Sequence, residues 1–243
     1  ELLAKTSLTL QQGKQNGKNK VMFEHSSSEP PNKEDDVIPE ILKALHSGSH
    51  HHVVVLPVFD LSDYTKVGYE LLSRMSIKGF EVADDFFRFC LEHNILTLVD
   101  HRCFEACLAA GTIFPPEMRR HVNLFPSTLI NIPVEHLIKA LPANSLTHSH
   151  CIEISEQQII GDPSYLIKPV TALKEAGILV AIDDVGFGRS CLESLVLLEP
   201  DVIKIDKKCV MGISRDESRA YALKRILKVA NSLGTEVIAE GIE

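Results

Sequence analysis

From residue 53 to residue 242 the chain repeats one pattern: a short run rich in β-branched residues, usually followed by an amphipathic stretch of helical length. The runs are VVVLPVFDL (53–61), VGYELLSR (67–74), HVNLF (121–125), CIEIS (151–155), ILVAIDDV (178–185), VIKID (202–206) and EVIAEGI (236–242). Helical stretches lie at 84–110, 163–176, 191–198 and 215–233, and a shorter one, apolar at 38, 41, 42 and 45, precedes the first run. Strands separated by helices predict a parallel sheet with both faces covered, and this many units favours a barrel over an open sheet. Only Ser62–Lys66 joins the first two runs, too little for a crossover helix, so they pair antiparallel. The expected fold is therefore α/β: a modified TIM-type (β/α) barrel with one antiparallel strand.

At 243 residues the chain accommodates one such barrel. A formal charge of -8 excludes sequence-independent binding to long nucleic acids, which relies on cationic side chains neutralising phosphates. No apolar run approaches the roughly 20 residues that span a bilayer, so no membrane span is expected. The six cysteines, at 90, 103, 107, 151, 191 and 209, contain no C-x-x-C pair and read as reduced core residues of a cytoplasmic protein. Cys103 and Cys107, four apart on a helix, read as small buried residues rather than a metal clip. The stretch HSSSEPPNKEDD (25–36) has the Ser, Pro and charge content of a linker, after a helical stretch at 4–16 and a turn and strand at 16–24. A first residue of Glu1, with no signal peptide, leads us to expect a segment of something longer. His50, His51 and His52 are assigned to a solvated loop, because adjacent side chains on a strand cannot all face one metal.

Alternation sorts each strand into two faces. Glu153 falls between Ile152 and Ile154, Lys204 between Ile203 and Ile205, Asn123 between Val122 and Leu124, and Glu70 between Tyr69 and Leu71. Asp183 shares a face with Leu179 and Ala181, Asp184 opens the next loop, and Glu240 lies between Ala239 and Gly241. Any one such acid alone reads as a paired structural residue. Together, Glu70, Glu153, Asp183, Asp184, Glu240 and Glu243 converge on the C-terminal mouth, where barrels keep their chemistry, with Lys204 and Arg74 as the balancing charges. Burial of so many like charges is costly, and divalent cations relieve it. Carboxylates plus the Asn123 amide suit hard ions such as Mg²⁺, Mn²⁺ or Ca²⁺ rather than Zn²⁺, and adjacent Asp183 and Asp184 suit two of them. Paired hard ions point to phosphoester hydrolysis, with Lys204 beside the attacking water and Glu240 or the metal accepting its proton. A lysine Schiff-base aldolase is the rival, but that chemistry has no use for six carboxylates.

The residues GYELLSR (68–74), VNLFPSTL (122–129), IEISE (152–156), DDVGFGRS (183–190), DVIKIDK (201–207) and AEGIE (239–243) resemble, in order and spacing, the motifs of the EAL domain of bacterial cyclic di-GMP phosphodiesterases. The resemblance covers about 37–243 and implies hydrolysis of cyclic di-GMP to linear pGpG. It implies that Glu70, Asn123, Glu153 and Asp183 hold a first metal ion and Asp183 with Asp184 a second. Lys204 and Glu240 would act on the nucleophilic water, Glu243 would support it, Arg74 would hold a phosphate, and Glu156 would brace the 183–190 loop. A homodimer through the barrel is also implied. Residues 1–24, through GKQNGKNKVMFE, resemble the end of a GGDEF domain, which places an upstream GGDEF or sensor domain in the full protein. The sequence departs from the family pattern at Leu56 for Gln, Leu71 for Ala, Met75 for Trp, and at Val185, Phe187 and Arg189. The family's last strand would follow Glu243. These departures keep open an alternative, a receptor that binds the dinucleotide without cutting it.

Overall fold

A computed structural model describes residues 37–142, 145, 147–186 and 191–242. The expectations for residues 1–36, and those for Phe187, Arg189 and Glu243, fall outside the described residues. Two compact units divide the chain, Glu1–Ile41 and Leu42–Glu243. Helix α1 (Val37–Ser47) runs across that division in sequence; the sheet and all later helices belong to the second unit.

The sheet has seven strands in chain order: β1 (His51–Phe59), β2 (Lys66–Met75), β3 (Arg119–Asn123), β4 (His150–Ser155), β5 (Leu179–Val185), β6 (Val202–Ile205) and β7 (Glu236–Ala239). As expected, β1 and β2 are antiparallel, with Leu56 opposite Glu70, and every later neighbour is parallel. The result is a curled, TIM-like half-barrel in which β1 and β7 are not paired with each other among the described residues. The histidine expectation is corrected here. His51 and His52 belong to β1, opposite Met75 and Arg74, and His51 Nε2 lies 2.6 Å from Ser73 Oγ. Pairing with a long partner strand extends β1 past the point where its apolar run begins.

The crossovers are α2 (Ala83–Glu92) and α3 (Leu96–Gly111), α4 (Pro126–Asn131) and α5 (Val134–Ala140), α6 (Ile167–Glu175), α7 (Cys191–Leu198), the single turn α8 (Lys207–Val210), and α9 (Glu217–Leu233). The expected stretch 84–110 is two helices, because Asn94 takes a left-handed φ of 57°, a conformation Asn tolerates better than most residues. The short helices α4 and α5 escape periodicity analysis: Pro126 starts one, Pro133 separates them, and neither is long enough to repeat an apolar stripe. Asp216 caps α9 by accepting from the N–H groups of Ser218 and Arg219, and Gly234 ends it at φ 69°.

Alternation works as the sequence predicts. Ile152, Ile154, Val180, Ile182, Ile203 and Ile205 turn outward into a core shared with the helices. The other face packs small residues, Cys151, Ala181 and Val202, inside the barrel. Full burial of each of the outer Ile and Val side chains is worth about 1.5–3 kcal/mol, so β4–β6 are firmly registered. Leu71 belongs to the outer core, and Gly111 makes room for it: a Cβ there would lie 3.0 Å from Leu71 Cδ1. The extra volume is absorbed on the helix side, leaving Glu70 on the other face. Cys90, Cys103, Cys107 and Cys151 are free, buried thiols, and Cys209 is buried as well. No helix among the described residues is long and apolar enough to cross a membrane.

Candidate active site

Strand register brings the polar residues to one end of the barrel interior. Asn123 pairs with Glu153, Ser155 with Asp183, and Glu70 with His121 one level deeper. Lys204 stands in their middle. Its Nζ lies 3.0 Å from Glu70 Oε1, 2.9 Å from Glu153 Oε2, 3.1 Å from Asp183 Oδ2 and 3.0 Å from Glu240 Oε1. An ammonium has three protons, so four carboxylates exceed what it can serve at once.

Burial alone would strip the Lys204 proton, but the surrounding carboxylates, Glu153 foremost, overrule it and push its pKa far up. Lys204 is therefore a fixed positive charge. Burial pushes Glu153 up to about 7 against the pull of Lys204, with Asp183 adding to the rise. Glu240 reaches about 7 for the same reasons. Glu70 is raised by burial and then by Glu153, and Asp184 by burial and then by Asp183. One lysine leaves the cluster with surplus negative charge.

Two overlapping triads hold that surplus. Carboxylate oxygens of Glu70, Glu153 and Asp183 lie within 4.8 Å of one another, as do those of Asp183, Asp184 and Glu240. Asp183 belongs to both. Strict alternation would send Asp184 to the helix side, and the sequence places it in the loop. Instead it lies within β5, where the register with β6 shifts between Ile182 and Val185, and its φ is 58°. Such a bulge re-aims a side chain. Ser155 Oγ donates to Asp184 Oδ2 at 2.9 Å, and the Asp184 N–H donates to Asp183 Oδ1 at 2.8 Å. Asn123 Nδ2 is 3.4 Å from Glu153 Oε2. An all-oxygen donor set in two groups sharing one member fits hard divalent ions.

These groups line a cavity of about 680 Å³, which Arg74 also lines from the end of β2. Arg74 Nη1 donates to its neighbour's carbonyl, Ser73 O, at 2.8 Å. Glu156 is buried in the turn Glu156–Gln158 that follows β4. Of the predicted site residues the fold thus brings together Glu70, Asn123, Glu153, Asp183, Asp184, Lys204 and Glu240, with Arg74 on the same cavity.

Two residues that the sequence reading missed support this centre. His121 Nδ1 lies 2.9 Å from Glu153 Oε1, and both side chains are fully buried. Burial, then the charges of Arg119 and Lys204, depress the ring to about 4, which keeps it neutral. Its signal was its position two residues before Asn123, on the same strand face. Asp100, on α3, accepts the Phe125 N–H at 3.0 Å and so ties the helix wall to the start of α4. Burial pushes Asp100 up to about 7. An acid inside a mostly apolar helix run was its only mark.

Fold and site together define a (β/α)-barrel protein with a carboxylate centre at the C-terminal ends of its strands. The chain belongs to the EAL domain family, which it matches over residues 39–243. It is 25% identical over 193 residues to the cyclic di-GMP phosphodiesterase TpdA of Vibrio parahaemolyticus, covering 79% of this chain and 33% of TpdA. It is 34% identical over 124 residues to the blue light- and temperature-regulated antirepressor BluF of Escherichia coli, covering 50% of this chain and 31% of BluF. Among solved structures it is similar to the manganese/cyclic di-GMP complex of Klebsiella pneumoniae BlrP1, with a TM-score of 0.71, 26% identity, and 81% of this chain and 50% of that chain covered. The chain spans about a third of the length of the curated relatives it matches.

Proposed function

We propose that this domain hydrolyses cyclic di-GMP to linear pGpG using two divalent ions, Mg²⁺ or Mn²⁺. The observation that carries this reading is the pair of carboxylate triads sharing Asp183 around one buried lysine. Glu70, Asn123, Glu153 and Asp183 would hold the first ion, and Asp183 with Asp184 the second. Bound there, hard ions supply Lewis-acid chemistry for displacement at phosphorus. Lys204 orients the attacking water and offsets developing negative charge, and Glu240, 3.0 Å from its Nζ, accepts the proton. Glu243 supports this water network. Arg74 grips a phosphate oxygen in the fork geometry that favours arginine. Glu156 braces the 183–190 segment, from the end of β5 onward. The manganese complex of BlrP1 supports the choice of ion and ligand.

The wider setting belongs to the same proposal: a cytoplasmic homodimer contacting through the barrel, with residues 1–24 the end of an upstream GGDEF domain and 25–36 a linker. A second reading, a receptor that binds cyclic di-GMP without cutting it, is favoured by Leu56. It stands opposite Glu70, 47% exposed, where the family pattern has a Gln able to hydrogen-bond a ligand. The BluF relative, named an antirepressor, is consistent with it.

Incubating the full protein with cyclic di-GMP and Mn²⁺, while following pGpG and ligand binding together, separates the readings. Turnover supports hydrolysis, binding alone supports the receptor, and neither sinks both. Glu70→Ala should reduce turnover to background while keeping the fold, since it removes one ligand and relieves repulsion around Glu153. Parental turnover in that variant would refute the role given to Glu70.

A further inference from the structure

Every group around Glu153 except one was expected from the sequence. Its carboxylate is fully buried, and its two oxygens are divided between partners. Oε2 meets Lys204 Nζ at 2.9 Å and Asn123 Nδ2 at 3.4 Å, on the cavity side. Oε1 meets His121 Nδ1 at 2.9 Å. His121 sits deeper in the barrel than Asn123: its strand partner is Cys151, whereas Asn123 pairs with Glu153 itself. Cys151 has too short a side chain to occupy the space the imidazole fills. The ring therefore reaches the carboxylate from the deeper level of the barrel, where His121 pairs with Glu70.

A glutamate has three rotatable bonds, and Lys204 alone would draw both oxygens toward itself. With Oε1 tied down, only Oε2 is left for the space shared with Glu70 and Asp183. A carboxylate oxygen accepts, so the ring must present Nδ1–H, a tautomer assigned from its partner. We infer that His121 is a positioning residue of the proposed metal centre, donating Nδ1–H to Glu153 Oε1 so that the other oxygen is held ready for a cation. This rests on the two-ion reading of the same site. Partners that orient a metal ligand in this way are typically worth about 10- to 100-fold in metal affinity.

The test compares Mn²⁺ binding to the parent protein, His121→Leu and His121→Asn, by electron paramagnetic resonance titration at one pH. Asn places an amide N–H close to the position of Nδ1; Leu fills similar space with no donor. His121→Leu should bind Mn²⁺ about 10- to 100-fold more weakly. His121→Asn should recover most of that loss, although it fills the space less well. Equal affinity in parent and Leu variant overturns the inference, and so does equal loss in Leu and Asn variants, which would mark a packing effect. Should the Leu variant fail to fold, His121→Gln replaces it. Its amide reaches past the Nδ1 position, so it should bind more weakly than the Asn variant, and parity between the two overturns the inference. A parent that binds no Mn²⁺ sinks both this inference and the two-ion reading. A parent that binds Mn²⁺ but makes no pGpG sinks hydrolysis alone, and the His121 comparison still decides its own question.

Discussion

The two ends of the barrel interior treat charge in opposite ways. At the floor, Arg119 of β3 meets Glu236 of β7 at 2.9 Å, one charge against one, with side chains 26% and 49% exposed. At the rim, the same two strands lead toward Asn123 and Glu240, and a single buried Lys204 faces four carboxylates. A half-exposed single pair is cheap to form and worth little. The rim is unbalanced around a lysine only 3% exposed, so its arrangement lowers stability in the absence of ions. A fold seeking only to close its barrel would treat both ends as it treats the floor. The excess of acid at one end marks what that end is for.

The sharpest way to break this contrast is Lys204→Met. Removing the one cation among the buried carboxylates should destabilise the metal-free protein by about 3–5 kcal/mol at pH 8, as loss of one partner from a buried charge network does. The loss should shrink at pH 5, where Glu153 and Glu240, both raised to about 7, take up protons instead. Urea denaturation in a chelator measures it. If the variant is as stable as the parent at pH 8, the rim charges do not act on one another as described, and the distinction between the two ends collapses.

Much of the rim was legible in the sequence because a strand's period of two is rigid. Glu153 between Ile152 and Ile154, and Lys204 between Ile203 and Ile205, leave no choice of face once the isoleucines are buried. The order of the strands followed from the connections. What alternation cannot express stayed hidden. Asp184 joins the cluster only because a bulge in β5 interrupts the period, and nothing in DDVG announces a bulge. His121 had the right face, but its value depends on a distance to Glu153 that register and side-chain length set jointly. His51 and His52 became strand because β2 offers partners that far along, a tertiary fact. The short helices at 126–140 are too brief to show a period.

A smaller effect separates the wall of the cavity from its rim. Asp100 is buried on α3 and holds the Phe125 N–H, but no ion pair involving it is described. Its pKa rises from an ordinary 3.8 to about 7 by burial, so the folded protein keeps a proton that the unfolded chain releases. Stability from this source is greatest below about 3.8, falls as pH rises toward about 7, and is level beyond. Lys204 stays charged throughout and adds no slope in that window. Asp100→Asn cannot ionise, so in a chelator the loss of stability between pH 5 and pH 8 should be smaller than the parent's by about 1–3 kcal/mol. Glu153 and Glu240 keep the remaining slope. Identical pH dependence in variant and parent would show that Asp100 is not the strained acid its surroundings imply.

The smallest effect belongs to the floor, and it tests the other half of the contrast. Arg119→Leu with Glu236→Leu removes the pair without leaving either charge stranded, and each side chain reaches water, so the double variant should differ from the parent by about 0–1 kcal/mol. Either single variant should fall in the same range, because the remaining charge can be solvated. Mn²⁺ affinity should not move, even though Arg119 is among the charges that keep the His121 ring neutral. Its removal makes that ring somewhat easier to protonate, and a doubly protonated ring still donates from Nδ1 to Glu153. The hydrogen bond survives the change, so metal binding should as well. A floor variant that lost several kcal/mol, or that lost Mn²⁺ affinity as His121→Leu does, would show the two ends to be one coupled network rather than a balanced closure beneath an unbalanced site.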